Sequence, residues 1–181
     1  TLDSVENKKR NKRIASSNTP STQDQIQESI NLSDDIKKIL EVGNKSLQDD
    51  DLETAENKFI SAIRLDSKNV DAYFGLASVY IKKEEWVEAC DTLGFSLKIS
   101  PDNTRVLIAL AGVYEKIDDL DKAVECYEKA VIIDDSQPEI FAKVGDLLLD
   151  INQCDNALEA MRQASELEPE NQDYLDKLVD I

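Results

Sequence analysis

Apolar residues along Ile36–Ile181 recur at intervals of three and four, which places them on one face of an α-helix. Short polar breaks cut this pattern at regular places. Ala111 to Ala130, AGVYEKIDDLDKAVECYEKA, shows the unit. Leu110, Ala111 and Tyr114 share a face of one helix, and Leu120, Ala123, Tyr127 and Ala130 share a face of the next. Between them stand Asp118 and Asp119, whose side chains compete for backbone hydrogen bonds and so disfavour a helix interior. The spacing predicts two antiparallel helices joined by a tight turn. One such pair leaves its apolar face open and needs neighbours.

The neighbours are copies. Ala55, Ala89, Ala123 and Ala157 stand 34 residues apart. The same step joins the small residues Gly43, Ala77, Ala111 and Gly145, and the large residues Phe59, Leu93, Tyr127 and Met161. It also joins Ala62, Ser96, Ala130 and Ala164, and then Ile39, Tyr73, Leu107, Phe141 and Leu175. Small side chains let helix backbones approach, and large ones fill the gaps between them. No insertion breaks the register, as expected of stacked repeats. The predicted helices are 34–48, 52–66, 70–82, 86–99, 104–116, 120–133, 138–150 and 154–167, with a ninth from about 171. Ser33 reads as the N-cap of the first, with Asp34 and Asp35 favourable in its first turn. Pro138 fits a helix start, where its missing N–H costs little.

On these residues the chain resembles the tetratricopeptide repeat family. That pattern has a small residue in the first helix, an aromatic three places later, alanine and an aromatic in the second helix, and a proline after it. Ala111, Tyr114, Ala123 and Tyr127 fit it, as do Pro101 and Pro169. Ser67 and Asp135 stand where two other repeats would carry the proline, and Ser46 replaces the first repeat's aromatic. The resemblance implies an all-α, right-handed superhelical solenoid of antiparallel helix pairs. Its repeats would run over about 36–69, 70–103, 104–137 and 138–171, followed by a further repeat or capping helix over 172–181.

Charge sets the N-terminus apart. Residues 1–19 carry five basic and two acidic side chains, and the rest of the 181-residue chain carries 16 basic and 36 acidic ones. Residues 1–33 read as a polar segment, disordered through about residue 23 because it lacks apolar periodicity. Its cluster Lys8, Lys9, Arg10, Lys12 and Arg13 would suit the cytoplasmic flank of a membrane tether preceding Thr1. The acidic remainder repels phosphate backbones, which argues against nucleic acid as a partner. No apolar run approaches the roughly 20 residues needed to span a bilayer.

Cys90, Cys126 and Cys154 show no CxxC spacing and have no histidine near them. They read as small buried or half-buried side chains in a reducing compartment, so a cytoplasmic location is expected, at a membrane's cytoplasmic face if a tether exists. There is no Gly-rich phosphate loop and no GxSxG. Neither catalysis, a metal nor a cofactor is expected.

In the family resembled here, the first helices of successive repeats line a concave groove. Carried over, this groove takes Leu40, Asn44 and Leu47 from the first repeat and Phe74, Ser78 and Ile81 from the second. The third gives Arg105, Ile108 and Gly112, and the fourth Leu149. One branch of the family clamps a chaperone's C-terminal carboxylate with Lys and Asn in its first repeat, Asn in the second, and Lys and Arg in the third. Here Asn44 and Arg105 match that set, while Leu40, Gly75 and Ala109 occupy the other places. A carboxylate would lack most of its charge-assisted donors.

Leu40, Phe74 and Ile108, flanked by Leu47 and Ile81, stand outside the helix-packing pattern and form an apolar ladder. Such a ladder suits an amphipathic helix or an extended peptide. The expected function is a non-catalytic scaffold that binds a partner protein in this groove. A membrane-tethered assembly factor, and a regulatory or docking domain of a larger enzyme, are the competing readings. The apolar end of the ninth helix, with Tyr174, Leu178 and Ile181, further predicts self-association.

Overall fold

The computed structural model describes residues 22–180. They form α1 (Thr22–Gln48), α2 (Leu52–Leu65), α3 (Val70–Lys82), α4 (Trp86–Ile99), α5 (Thr104–Lys116), α6 (Leu120–Ile133), α7 (Pro138–Asp150), α8 (Cys154–Leu167) and α9 (Gln172–Asp180), with no strand among the described residues. From α2 onward each helix starts and ends within a residue of the periodic prediction.

α1 departs from it. The helix begins at Thr22, so Ser33 is an interior residue and not a cap. The cause is local. Thr22–Leu32 contains neither Gly nor Pro and is rich in Gln, which forms helices well. An interior Ser or Asp costs only about 0.5 kcal/mol, too little to stop a helix already under way.

The chain divides into two units, residues 1–37 and 38–181. In the first, Gln27 Nε2 donates to Asn31 Oδ1 at 3.2 Å and Lys37 pairs with Asp34 at 3.7 Å. The basic cluster and the disorder expected through residue 21 lie outside the described residues. Thr22 and Gln23 already belong to α1.

The second unit is an all-α, right-handed solenoid of helix pairs. The turn inside each pair is built the same way four times. Asp50, Glu84, Asp118 and Asn152 adopt left-handed φ angles of 62°, 59°, 62° and 61°. The N–H of the next residue then reaches back five positions: Asp51 to Ser46, Glu85 to Tyr80, Asp119 to Tyr114 and Gln153 to Leu148, at 2.8–2.9 Å. These bonds satisfy carbonyls that the helix end leaves without partners. None of the four residues is glycine, which adopts this conformation without strain. Between repeats, Asn69 and Asn103 cap α3 and α5, accepting from the Ala72 and Val106 N–H groups at 2.9 and 3.1 Å.

The core follows the large–small pattern. Ala55, Ala89, Ala123 and Ala157 are all fully buried where helices meet. Phe59, Leu93 and Met161 fill the joints, and Tyr127 is buried in the same role. A Cβ at Gly43 would lie 3.0 Å from the Phe59 ring, and one at Gly145 would lie 2.8 Å from Met161 Cε. Packing therefore favours a small residue at both places, as the 34-residue pattern of Gly and Ala implies.

Candidate protein-binding groove

The first helices of the repeats, α1, α3, α5 and α7, carry the residues that the sequence places in a groove. Leu40 and Leu47 are half-buried and pack against the cluster around Phe59. Phe74, Ile81, Ile108 and Leu149 are half-buried against the central cluster that contains Leu93, Val106 and Tyr127. The expectation that the ladder stands outside helix packing is thus corrected. An apolar stripe on a helix is broad, so its flanking positions bury one side in the core and keep the other in solvent.

The polar members differ among themselves. Asn44 and Arg105 are exposed. The Ser78 hydroxyl donates to the Phe74 carbonyl at 2.8 Å. A Cβ at Gly112 would meet only the Tyr127 hydroxyl, at 3.9 Å.

Phe74, Arg105 and Ile108 come together. With Thr104, Ala109 and Gln137 they line a hollow of ≈ 520 Å³. The Arg105 guanidinium carbon lies 4.3 Å from the centroid of the Phe74 ring, a cation–π contact. The same guanidinium is ion-paired to Asp71. Arg105 is therefore already occupied, and it covers part of Phe74. The 34-residue separation of Asp71 and Arg105 was the available signal for this pair.

That pair belongs to a series. Lys82 of α3 bonds Asp50 Oδ1 and the Leu47 carbonyl, each at 2.9 Å. Lys143 of α7 pairs with Glu115 of α5 at 2.6 Å, and Lys177 of α9 pairs with Asp146 of α7 at 2.6 Å. Each pair ties one repeat to the next across the first-helix face. Pairs this exposed stabilise by only about 0–1 kcal/mol each. Their larger effect is on the surface, where the charges beside the ladder neutralise one another. Glu115 also accepts the Tyr127 hydroxyl at 2.7 Å, which links this face to the core. Burial first, and then that carboxylate, push the Tyr127 phenol well above its ordinary pKa.

Two of the three thiols are poorly suited to chemistry. Burial pushes Cys126 up to about 11 and raises Cys90 as well, so both stay protonated at neutral pH. Cys154 is exposed, against the expectation that all three would be at least half-buried. It opens α8, ahead of the buried stripe that begins at Ala157. Among the described residues no His, Cys, Asp and Glu side chains gather as a metal site, and no helix is long and apolar enough to cross a membrane. In α9, Tyr174 and Leu178 pack against Ala142, Met161 and Ala164, so they are not the open face expected of them. Val179 and Leu175 are the exposed apolar residues there, and Ile181 lies outside the described residues.

Residues 104–136 match the family described as the tetratricopeptide repeat. A solved structure of MamA superposes with a TM-score of 0.71 at 16% identity, covering 79% of this chain and 78% of that one. Residues 104–136 are thus a tetratricopeptide repeat, and the helix pairs have the fold of tetratricopeptide repeat proteins. These repeats make the chain a protein-interaction scaffold in the general sense. Among curated proteins it is similar to anaphase-promoting complex subunit 3 of Schizosaccharomyces pombe, 24% identical over 128 residues, which are 71% of this chain and 19% of that protein. A BBSome complex member, the BBS4 homolog of Drosophila melanogaster, is 30% identical over 104 residues, 57% of this chain and 21% of that protein. The chain thus spans about a fifth of the length of these relatives.

Proposed function

We propose that the first-helix face binds a helix or extended peptide of a partner protein through its apolar ladder, with Phe74 as the central contact. The observation that carries this reading is the hollow beside Phe74 and Ile108, on a face whose neighbouring charges are tied to one another. A ligand that docked by charge would have to break those pairs first. One that docked by apolar contact would only slide Arg105 off the Phe74 ring. Both curated relatives are named as members of multiprotein complexes, which supports a role in assembly.

The test compares two variants against a partner captured on the wild-type chain. Phe74→Ala should weaken binding about thirtyfold or more, the loss expected from a central interface aromatic. Arg105→Ala should change it less, and its effect should shrink as salt rises. Full binding by Phe74→Ala together with loss in Arg105→Ala would show an electrostatic groove and overturn the proposal. Circular dichroism should show Phe74→Ala still helical, because the ring buries only one side.

A further inference from the structure

We propose a second docking site on the opposite face, in the groove between the second helices α6 and α8. It takes a bulky apolar side chain from a basic amphipathic helix of a partner protein. The proposal is independent of the first-helix groove.

Its basis is a comparison among repeats. In the second repeat the rings of Tyr73 of α3 and Phe95 of α4 pack together, with centroids 4.9 Å apart and planes tilted by 41°. In the third repeat the same two positions hold Leu107, which is buried, and Lys129. In the fourth they hold Phe141 and Gln163. Phe141 keeps one ring of that pair and loses the other. The Gln163 amide is instead drawn along its own helix and donates to Glu159 Oε1 at 3.0 Å. What remains is an open groove of ≈ 470 Å³, with Val131, Ile132, Phe141, Leu148 and Ala160 on its walls.

Ile132 is the second sign. It is 81% exposed, and the matching residues of the other repeats are Arg64, Lys98 and Glu166, all charged. One exposed apolar residue alone means little, but Ile132 continues the apolar lining of the groove onto the surface, and a contiguous apolar patch marks a contact surface.

Charge identifies the occupant. Glu128 and Glu159 line the groove, and Glu128 makes no ion pair among the described residues. The nearby cations are already engaged: Lys129 with Glu125 at 2.6 Å, and Arg162 with Glu159 and Glu166 at 2.6 and 2.5 Å. The unbalanced charge at the rim is therefore negative and favours Lys or Arg beside the apolar anchor. A groove between two helices admits a third helix laid along it with its apolar face inward.

The experiment titrates the full chain, with its methyl groups isotope-labelled, with a synthetic helical peptide. This peptide carries a Leu/Phe face and lysines opposite, and a matched peptide carries glutamates instead. The lysine peptide should shift the Ile132 and Leu148 methyl signals, and the glutamate peptide should bind at least about tenfold more weakly. Gln163→Phe should fill the groove as Phe95 does beside Tyr73, leave the fold intact, and weaken the lysine peptide about tenfold or more. Ile132→Glu should do the same by placing a charge on the groove wall. Phe74→Ala should leave this binding unchanged.

The proposal is overturned by shifts confined to the Ile81 and Ile108 methyl groups, by equal binding of the two peptides, or by no binding at all. Ile132 signals that move with protein concentration alone would show that a second copy of the chain occupies the groove, and would overturn it too. If Ile132→Glu fails to fold, Gln163→Phe decides.

Discussion

Phe59 and Tyr127 hold the same place in the first and third repeats, and they close their joints by different means. Phe59 is fully buried between two glycines, Gly43 on its own repeat's first helix and Gly75 on the next. A Cβ at Gly75 would overlap its ring. Two repeats on, the counterpart of Gly43 is Ala111 and the counterpart of Gly75 is Lys143. There the aromatic gains a hydroxyl, and both it and Lys143 bond to Glu115. One joint is sealed by shape alone. The other runs from the core to the first-helix face through a carboxylate. The repeat specifies a large side chain at this point, and the neighbours decide whether it ends in the core or reaches the surface.

The shape-sealed joint should be the more easily broken. Phe59→Ala should cost about 3–5 kcal/mol, since the surrounding helices cannot collapse fully onto the space. Gly75→Ala should cost about 1–3 kcal/mol from overpacking against a ring that glycines confine on two sides. Chemical denaturation of the two variants, and of Gly75→Ala in a Phe59→Leu background, tests the account. The second alanine should be cheaper once the ring is gone. If Gly75→Ala is neutral in the wild type, the glycines do not shape this joint.

Much of this was legible in the chain. The 34-residue register of Ala, Gly and large residues located α2 to α9 almost to the residue, because packing distances force small residues to recur wherever backbones meet. The left-handed turns were not legible. Asp50, Glu84, Asp118 and Asn152 carry no glycine signal, and only the reach-back hydrogen bonds reveal them. The start of α1 was missed because a good cap at Ser33 does not stop a helix that forms upstream of it. In the groove the residue types were readable, but their state was not. Asp71, Phe74 and Arg105 become one unit only when neighbouring repeats stack, and that pairing changes Arg105 from a free cation into a cover over Phe74.

The hydroxyl-linked joint should respond to pH. Tyr127→Phe removes the bond to the Glu115 carboxylate and should cost about 1–2 kcal/mol at neutral pH. The sign of its pH dependence follows from the raised pKa of the phenol. Below pH about 10 the phenol is neutral in both folded and unfolded chains, and the bond contributes fully. Above that value the unfolded chain releases the proton while the folded one holds it, so stability falls as pH rises. Thermal unfolding from pH 7 to about 11 should therefore drop less steeply in Tyr127→Phe than in the wild type. The slope will not vanish, because Tyr80, Tyr114, Tyr174 and Cys126 are also shifted upward. Equal slopes would mean that the Tyr127 phenol is neither buried nor bonded to Glu115 in solution.

Ser96 asks whether a polar atom in a joint helps when nothing answers it. It occupies the place of Ala62, Ala130 and Ala164, and all four are buried. Unlike the Tyr127 hydroxyl, Ser96 Oγ is buried without a hydrogen-bond partner. Its backbone carbonyl does its structural part in any case, accepting from the Ser100 N–H at 3.0 Å as its counterparts do in the other repeats. A buried hydroxyl left unpaired keeps its desolvation cost with no return. Ser96→Ala removes that cost, adopts the residue that the other three repeats use, and vacates little volume. It should stabilise the chain by about 0.5–1 kcal/mol, read as a higher denaturation midpoint with an unchanged slope. A loss of stability of similar size would mean that the hydroxyl is bonded to an internal water, and that polar atoms are used in this joint as they are at Tyr127.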